Sequence, residues 1–209
     1  NKGDESRQNT IRQANLIKAG KWRQVMQEQL AKVDITEQEE LAASLGMAIY
    51  AGCKKSDIVE LLDRGLVADD IMAKIIVADC DLDVIKLFDS KGFNFHYRYD
   101  DGTNAIMSIV GSEYLDKLKY LIGQGVSVNT LNNGTGNQNE DYPYINDPLK
   151  IAIVGVQFDP LGTQVIDLLL NAGAEVTQQH SYILKSNMAS DLDSYLTLIA
   201  NHPNLKLKD

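Results

Sequence analysis

The sequence predicts an all-α chain, a solenoid of about six stacked helix pairs with short hairpin fingers. Two observations predict it. An apolar pair, a charged residue, a second apolar pair and then a glycine recur four times: I-V-E-L-L-D-R-G ending at Gly65, V-I-K-L-F-D-S-K-G at Gly92, L-K-Y-L-I-G-Q-G at Gly125 and V-I-D-L-L-L-N-A-G at Gly173. Within each copy the apolar residues follow helical spacing, as Val84, Ile85, Leu87 and Phe88 show, and the glycine stands where a helix end takes a left-handed residue. Upstream of each copy lies a second apolar segment, long enough for two helical turns and too short to fold alone, so the unit is a helix pair.

Taken in order, residues 1–9 form a polar tail and 10–209 one array. Residues 10–40 make an N-terminal cap, a helix pair from Ile11 to Val33 broken at Gly20, with Trp22, Val25, Met26 and Leu30 turned inward. Residues 41–177 are the central repeats, whose first helices are Leu45 to Ala51, Ile71 to Ala78, Ala105 to Val110 and Leu149 to Val156. Residues 178–209 close the array with a last pair, Tyr182 to Met188 and Leu192 to Ala200, stopped by His202-Pro203. Caps are expected because a stacked array must end in units with one polar face.

The spacings between the four glycines are 27, 33 and 48 residues, and a period of about 33 belongs to ankyrin units. The stretch Asp101 to Asn129, D-G-T-N-A-I-M-S-I-V-G-S-E-Y-L-D-K-L-K-Y-L-I-G-Q-G-V-S-V-N, resembles an ankyrin repeat along its whole length. Asp101 and Gly102 match the opening turn, Asn104 and Ala105 the Thr-Pro positions, Leu121 and Ile122 the paired leucines, and Gly125 to Asn129 the Gly-Ala-Asp-Val-Asn close. Asp147-Pro148-Leu149 is similar to the Thr-Pro-Leu start of a later unit ending L-L-L-N-A-G-A-E-V at Val176. The units ending at Gly65 and Gly92 keep the second helix and lose the Thr-Pro-Leu-His turn. The resemblance spans roughly Leu41 to Val176 and implies a repeat protein that binds another protein.

Three breaks in the repeat mark candidate contact residues. An inserted finger over 130–146 is Asn- and Gly-rich, and insertions in such arrays fall on the recognition edge. Its Asn132, Glu140, Asp141, Tyr142 and Tyr144 are candidates, the tyrosines with Ile145 being apolar bulk that a merely solvated loop does not need. Phe93 to Asp101, F-N-F-H-Y-R-Y-D-D, alternates so that Phe93, Phe95, Tyr97 and Tyr99 would share one face of an extended strand. Tyr97, Arg98 and Tyr99 supply the side-chain types that dominate interface energetics, with Asp100 and Asp101 beside them as turn residues or contacts. The competing expectation puts Phe93 and Phe95 in the core and packs the tyrosines on the neighbouring finger. The third break runs from Val156 to Gly162, with Phe158 at its centre and Pro160 blocking helix continuation; a loop that only caps a short helix would read the same.

Composition and motifs narrow the function classes. A net charge of −9 disfavours phosphate backbones and anionic lipid, and favours a basic protein partner. No apolar run approaches the length needed to span a bilayer. His96, His180 and His202 lie in separate units without metal-ligand spacing; no catalytic set, G-x-S-x-G elbow, phosphate loop or cofactor motif is present. Asp79, Asp81 and Asp83 begin like a calcium loop, but Val84 replaces its glycine and Ser90 its glutamate, so they read as helix-start carboxylates. Cys53 and Cys80 occupy similar places in adjacent units, beyond disulfide reach, and are expected as buried thiols. The non-Met, polar start suits an exported chain with a lipid anchor upstream, hence a periplasmic location; a trimmed cytoplasmic protein would look alike. The chain is similar in these respects to degenerate ankyrin-like immunity proteins that neutralise type VI secretion lipase or phospholipase effectors. A non-inhibitory scaffold is the alternative.

Overall fold

The computed structural model describes residues 55–63, 69–130 and 147–208, with Gln8, Arg12, Lys21 and Gln24 besides. The N-terminal cap pair, the segment Leu45 to Ala51, Cys53, Gly65 and the finger residues Asn132, Glu140, Asp141, Tyr142 and Tyr144 lie outside them. Among the described residues every regular element is helical and none is a strand. The chain divides into two compact units, Asn1–Asn94 and Phe95–Asp209.

In the first unit, α1 (Lys55–Asp63) precedes a 3-10 turn, Asp70–Met72, that runs into α2 (Ala73–Asp79), followed by α3 (Leu82–Ser90). Asp69 starts the 3-10 turn by accepting from the Ile71 N–H at 3.1 Å. Asp81 caps α3 by accepting from the Val84 N–H at 3.0 Å, and Asp83 adds a carboxylate to the positive end of the helix. Ile58, Leu62, Ile76, Val77, Val84, Ile85 and Phe88 are buried, and so is Cys80. Lys55 reaches Asp83 at 3.2 Å and Lys91 reaches Asp63 at 3.5 Å. Both pairs are exposed and contribute little energy, but they join start to start and end to end, so α1 and α3 run parallel.

The α3 helix closes on Gly92, whose φ is +83°. The Phe93 N–H bonds back to the Phe88 carbonyl at 3.1 Å, and the two rings meet edge to face at 5.6 Å. This is the glycine-terminated closure with its hydrophobic clasp.

The second unit holds 3-10 turns at Ala105–Ser108 and Ser112–Tyr114, then α4 (Leu115–Gly123), α5 (Pro148–Gly155), α6 (Gly162–Asn171), α7 (Gln178–Asn187), α8 (Leu192–Asn201) and a 3-10 turn at Pro203–Leu205. The closure of α3 is repeated twice. Gly125 has φ +81° with Val126 N–H bonded to the Leu121 carbonyl at 3.0 Å, and Gly173 has φ +90° with Ala174 N–H bonded to the Leu169 carbonyl at 3.0 Å.

The pair α5/α6 packs against the pair α7/α8, first helix on first and second on second. Side-chain bridges fix the register. Asp147 at the start of α5 meets His180 at the start of α7, 33 residues on, and the Asn187 amide at the end of α7 donates to the Ile153 carbonyl, 34 residues back. His202 meets Asp167 across 35 residues. Like ends therefore adjoin, so the stacked helices are parallel, and in both rows they start 30 residues apart, Pro148 to Gln178 and Gly162 to Leu192. Asn129 stitches the preceding close to this pair, donating to the Gly173 carbonyl and accepting from the Glu175 N–H, both at 2.9 Å.

Two elements differ from expectation. The segment Ala105 to Val110 is a 3-10 turn ending at Ser108, because β-branched Ile109 leaves helical geometry at φ −132° and Gly111 is extended. The last pair begins at Gln178 rather than Tyr182, because Thr177 and His180 form a reciprocal capping box that starts the helix four residues earlier.

Candidate partner-binding surface

The segment Phe95 to Thr103 is a tight hairpin turn rather than the extended strand that the alternation suggests. A turn at Phe95 and His96 interrupts the run, and Phe95 is buried while Phe93 clasps Phe88. The competing expectation therefore holds for Phe95, whereas Phe93 is half-buried. Beyond the turn, Tyr97 and Tyr99 do share a face, their rings edge to face at 5.0 Å.

The tip is built by Asp100, Asp101 and Gly102. The Gly102 N–H bonds to the Tyr99 carbonyl at 2.8 Å and the Tyr99 N–H to the Thr103 carbonyl at 2.9 Å, with Gly102 at φ +80°. That is a type I turn followed by a left-handed glycine, the three-residue hairpin. Asp101 is consumed by it, accepting from the Thr103 N–H at 3.0 Å and the Thr103 hydroxyl at 2.6 Å. Arg98 is exposed and its guanidinium bonds the Gly102 carbonyl at 3.2 Å. Asp100 is exposed at the tip. Asn104 anchors the base, its side chain accepting from the Ile106 N–H and donating to the Ser127 carbonyl at 2.9 Å. Of the candidates, Tyr97, Arg98, Tyr99 and Asp100 are thus brought together on a braced tip, and Asp101 holds the turn.

Phe158 belongs to a second surface, on the turn between α5 and α6. It is 82% exposed, more than any other large apolar side chain described. A shallow cleft of about 260 Å³ lies beside it, lined by Asp159, Thr163, Asn187, Ser190, Asp191 and Ser194 among others. An adjoining cleft of about 230 Å³ shares Thr163 and Ser194 and adds Asp167, Asp193, Thr197 and Asn201. Burial favours the neutral form of the Asp159 carboxyl, but bonds from the Leu161 N–H and from the Ser112 hydroxyl and N–H outweigh it and hold the group below its ordinary value.

Sequence reasoning singled out Phe158 and missed the carboxylates around it. Their signal was local: D-L-D at 191–193 opens α8 as D-L-D at 81–83 opens α3, and only the neighbouring helix turns such start residues into a lining. No helix among the described residues is long and apolar enough to cross a membrane. Comparison with protein-family models finds no match for the chain, and comparison with curated proteins finds none either.

Proposed function

We propose that the chain is an ankyrin-like repeat protein of about six helix pairs, and that it works by gripping another protein. The observation that supports this reading best is the parallel stacking of α5/α6 on α7/α8, whose first helices start 30 residues apart, as do their second helices, near the ankyrin period of about 33. The glycine closures at 92, 125 and 173 support it, and so does the Thr177…His180 box, which stands where the Thr-Pro-Leu-His opening has its first and last residues. A repeat array leaves its hairpin tips free, and the Tyr97–Arg98–Tyr99 tip is braced and rich in hot-spot residue types.

The concrete form of the proposal is an immunity protein that occludes a basic-surfaced secreted toxin, a lipase-type effector, in the periplasm. The acidic charge supports the partner's sign. The experiment is co-purification with the toxin encoded beside it, with toxin activity assayed at increasing protein. Inhibition at stoichiometric protein is expected; binding without inhibition would leave the scaffold alternative, and unaltered activity with no complex would refute the proposal. Replacing Tyr97 and Tyr99 with Ala is expected to weaken the complex roughly thirtyfold, the equivalent of about 2 kcal/mol, while the thermal midpoint moves by only a few degrees. A large loss of stability with unchanged affinity would assign both rings to the core.

A further inference from the structure

The clefts beside Phe158 have no part in the hairpin tip, and their chemistry is specific. We propose that they form a second contact surface that takes a basic segment of the protein partner, an Arg or Lys head entering among the carboxylates while the neighbouring chain packs on the Phe158 ring. This rests on the reading of the chain as a protein-binding module and names the chemistry of what it binds.

The loop that presents Phe158 is held on both sides of the ring. The Phe158 N–H bonds to the Gly155 carbonyl at 2.9 Å. The next residue, Asp159, is clamped by the Ser112 hydroxyl at 2.9 Å, 47 residues earlier in the chain, and by the Leu161 N–H at 2.9 Å, with Pro160 between. A ring kept 82% exposed on a braced loop loses little freedom when a partner covers it. Leu161 and Val154, on the same turn and the helix before it, are also exposed.

The lining supplies the other half. Asp159 and Asp191 line one cleft, Asp167 and Asp193 the other, and among the described residues no Lys or Arg lines either. One cation, if protonated, answers them: His202, paired with Asp167 at 2.7 Å. Thr163, Asn187, Ser194, Thr197 and Asn201 add side chains that can accept hydrogen bonds beside the four carboxylates, which suits guanidinium and ammonium, groups that only donate. Arg also stacks on aromatic faces, and Phe158 is the face offered. The chain's net charge of −9 draws such a partner in and repels nucleic acid.

The test titrates the isotope-labelled full chain with three probes, the peptides Arg-Leu-Arg-Leu-Arg-Leu and Glu-Leu-Glu-Leu-Glu-Leu and the polyamine spermine, and follows backbone amide shifts. The basic peptide is expected to move amides of residues 156–163 and 187–197, and the acidic peptide to move none of them. Phe158→Ala is expected to weaken the basic peptide about tenfold, and Asp191→Asn with Asp193→Asn about tenfold in low salt, that second difference shrinking at about 0.5 M salt. Both variants fold, since Phe158 is exposed, Asn caps helices as Asp does and Asp193 caps nothing. Shifts spread over every acidic stretch, equal binding by variant and parent chains, or spermine binding as tightly as the peptide would each overturn the proposal. Tyr97→Ala with Tyr99→Ala should bind the basic peptide as the parent does. A complex with the toxin that is indifferent to Phe158→Ala sinks this inference alone, whereas peptide binding without any toxin complex counts against the immunity reading alone.

Discussion

Asp147 shows how much one side chain can carry in a repeat. Its carboxylate caps α5, accepting from the Lys150 N–H at 2.7 Å, and accepts from His180 Nε2 at 2.9 and 3.0 Å. His180 Nδ1 receives the Thr177 N–H at 2.9 Å. A backbone N–H can only donate, so this nitrogen keeps its lone pair and the ring proton sits on Nε2, facing Asp147. The three groups form one closed chain of donors and acceptors, with His180 only 2% exposed. Asp147→Ala removes a cap and leaves a buried ring N–H unpaired, an expected loss of about 2–4 kcal/mol in urea unfolding. Asp147→Asn keeps an oxygen for both bonds and is expected to cost about half as much. Equal losses would mean that the acceptor is not what matters. Lys150, whose ammonium is destabilised by burial and partly rescued by the Asp147 charge, is pushed further toward its neutral form in both variants.

At the scale of the element, the helix ends give the sharpest contrast. Gly123 is the last residue of α4 and a Cβ there meets nothing within 4 Å, while Gly125, two residues on, has φ +81°. Gly123→Ala is therefore expected to stabilise by about 0.5–1 kcal/mol and Gly125→Ala to destabilise by about 1–2 kcal/mol, read from denaturant midpoints. If Gly125→Ala were also neutral, the left-handed closure would not be what ends the helix. These closures were the legible part of the fold, because a glycine after an apolar helical pattern has one economical use, and α3, α4 and α6 end as that pattern requires. First helices were harder to read. Ala105 to Val110 has the composition of a helix, but Ser108, two β-branched residues and Gly111 stop it as a 3-10 turn. The start of α7 was hidden because His180 takes the place that Glu or Gln holds in the usual capping box. The aromatic run from Phe93 to Tyr99 looked like one strand because alternation records side-chain character and is blind to the turn at Phe95 and His96.

On the scale of the whole molecule, side-chain bonds join elements far apart in sequence, as Asn187 to Ile153 and His202 to Asp167 do. The bridge from Asp159 to Ser112 is one of these, and it also braces the loop that presents Phe158. Its pH dependence follows from sign. The three bonds hold the folded carboxyl below its ordinary value of 3.8 despite burial, so the unfolded chain takes up the proton first as pH falls. The stabilisation is complete above about pH 5 and is lost as pH drops through 3.8 and then through the lower folded value. Asp159→Asn cannot accept from both Ser112 groups as a carboxylate does, and about 1 kcal/mol of stability is expected to go with it at neutral pH. The parent chain should therefore melt above Asp159→Asn by a constant margin between about pH 7 and pH 5, and the margin should shrink as pH falls through 3.8 and below. Thermal melts of the two proteins across that range decide it: a margin that persists unchanged to about pH 2 would show that the carboxylate charge contributes nothing to the bridge.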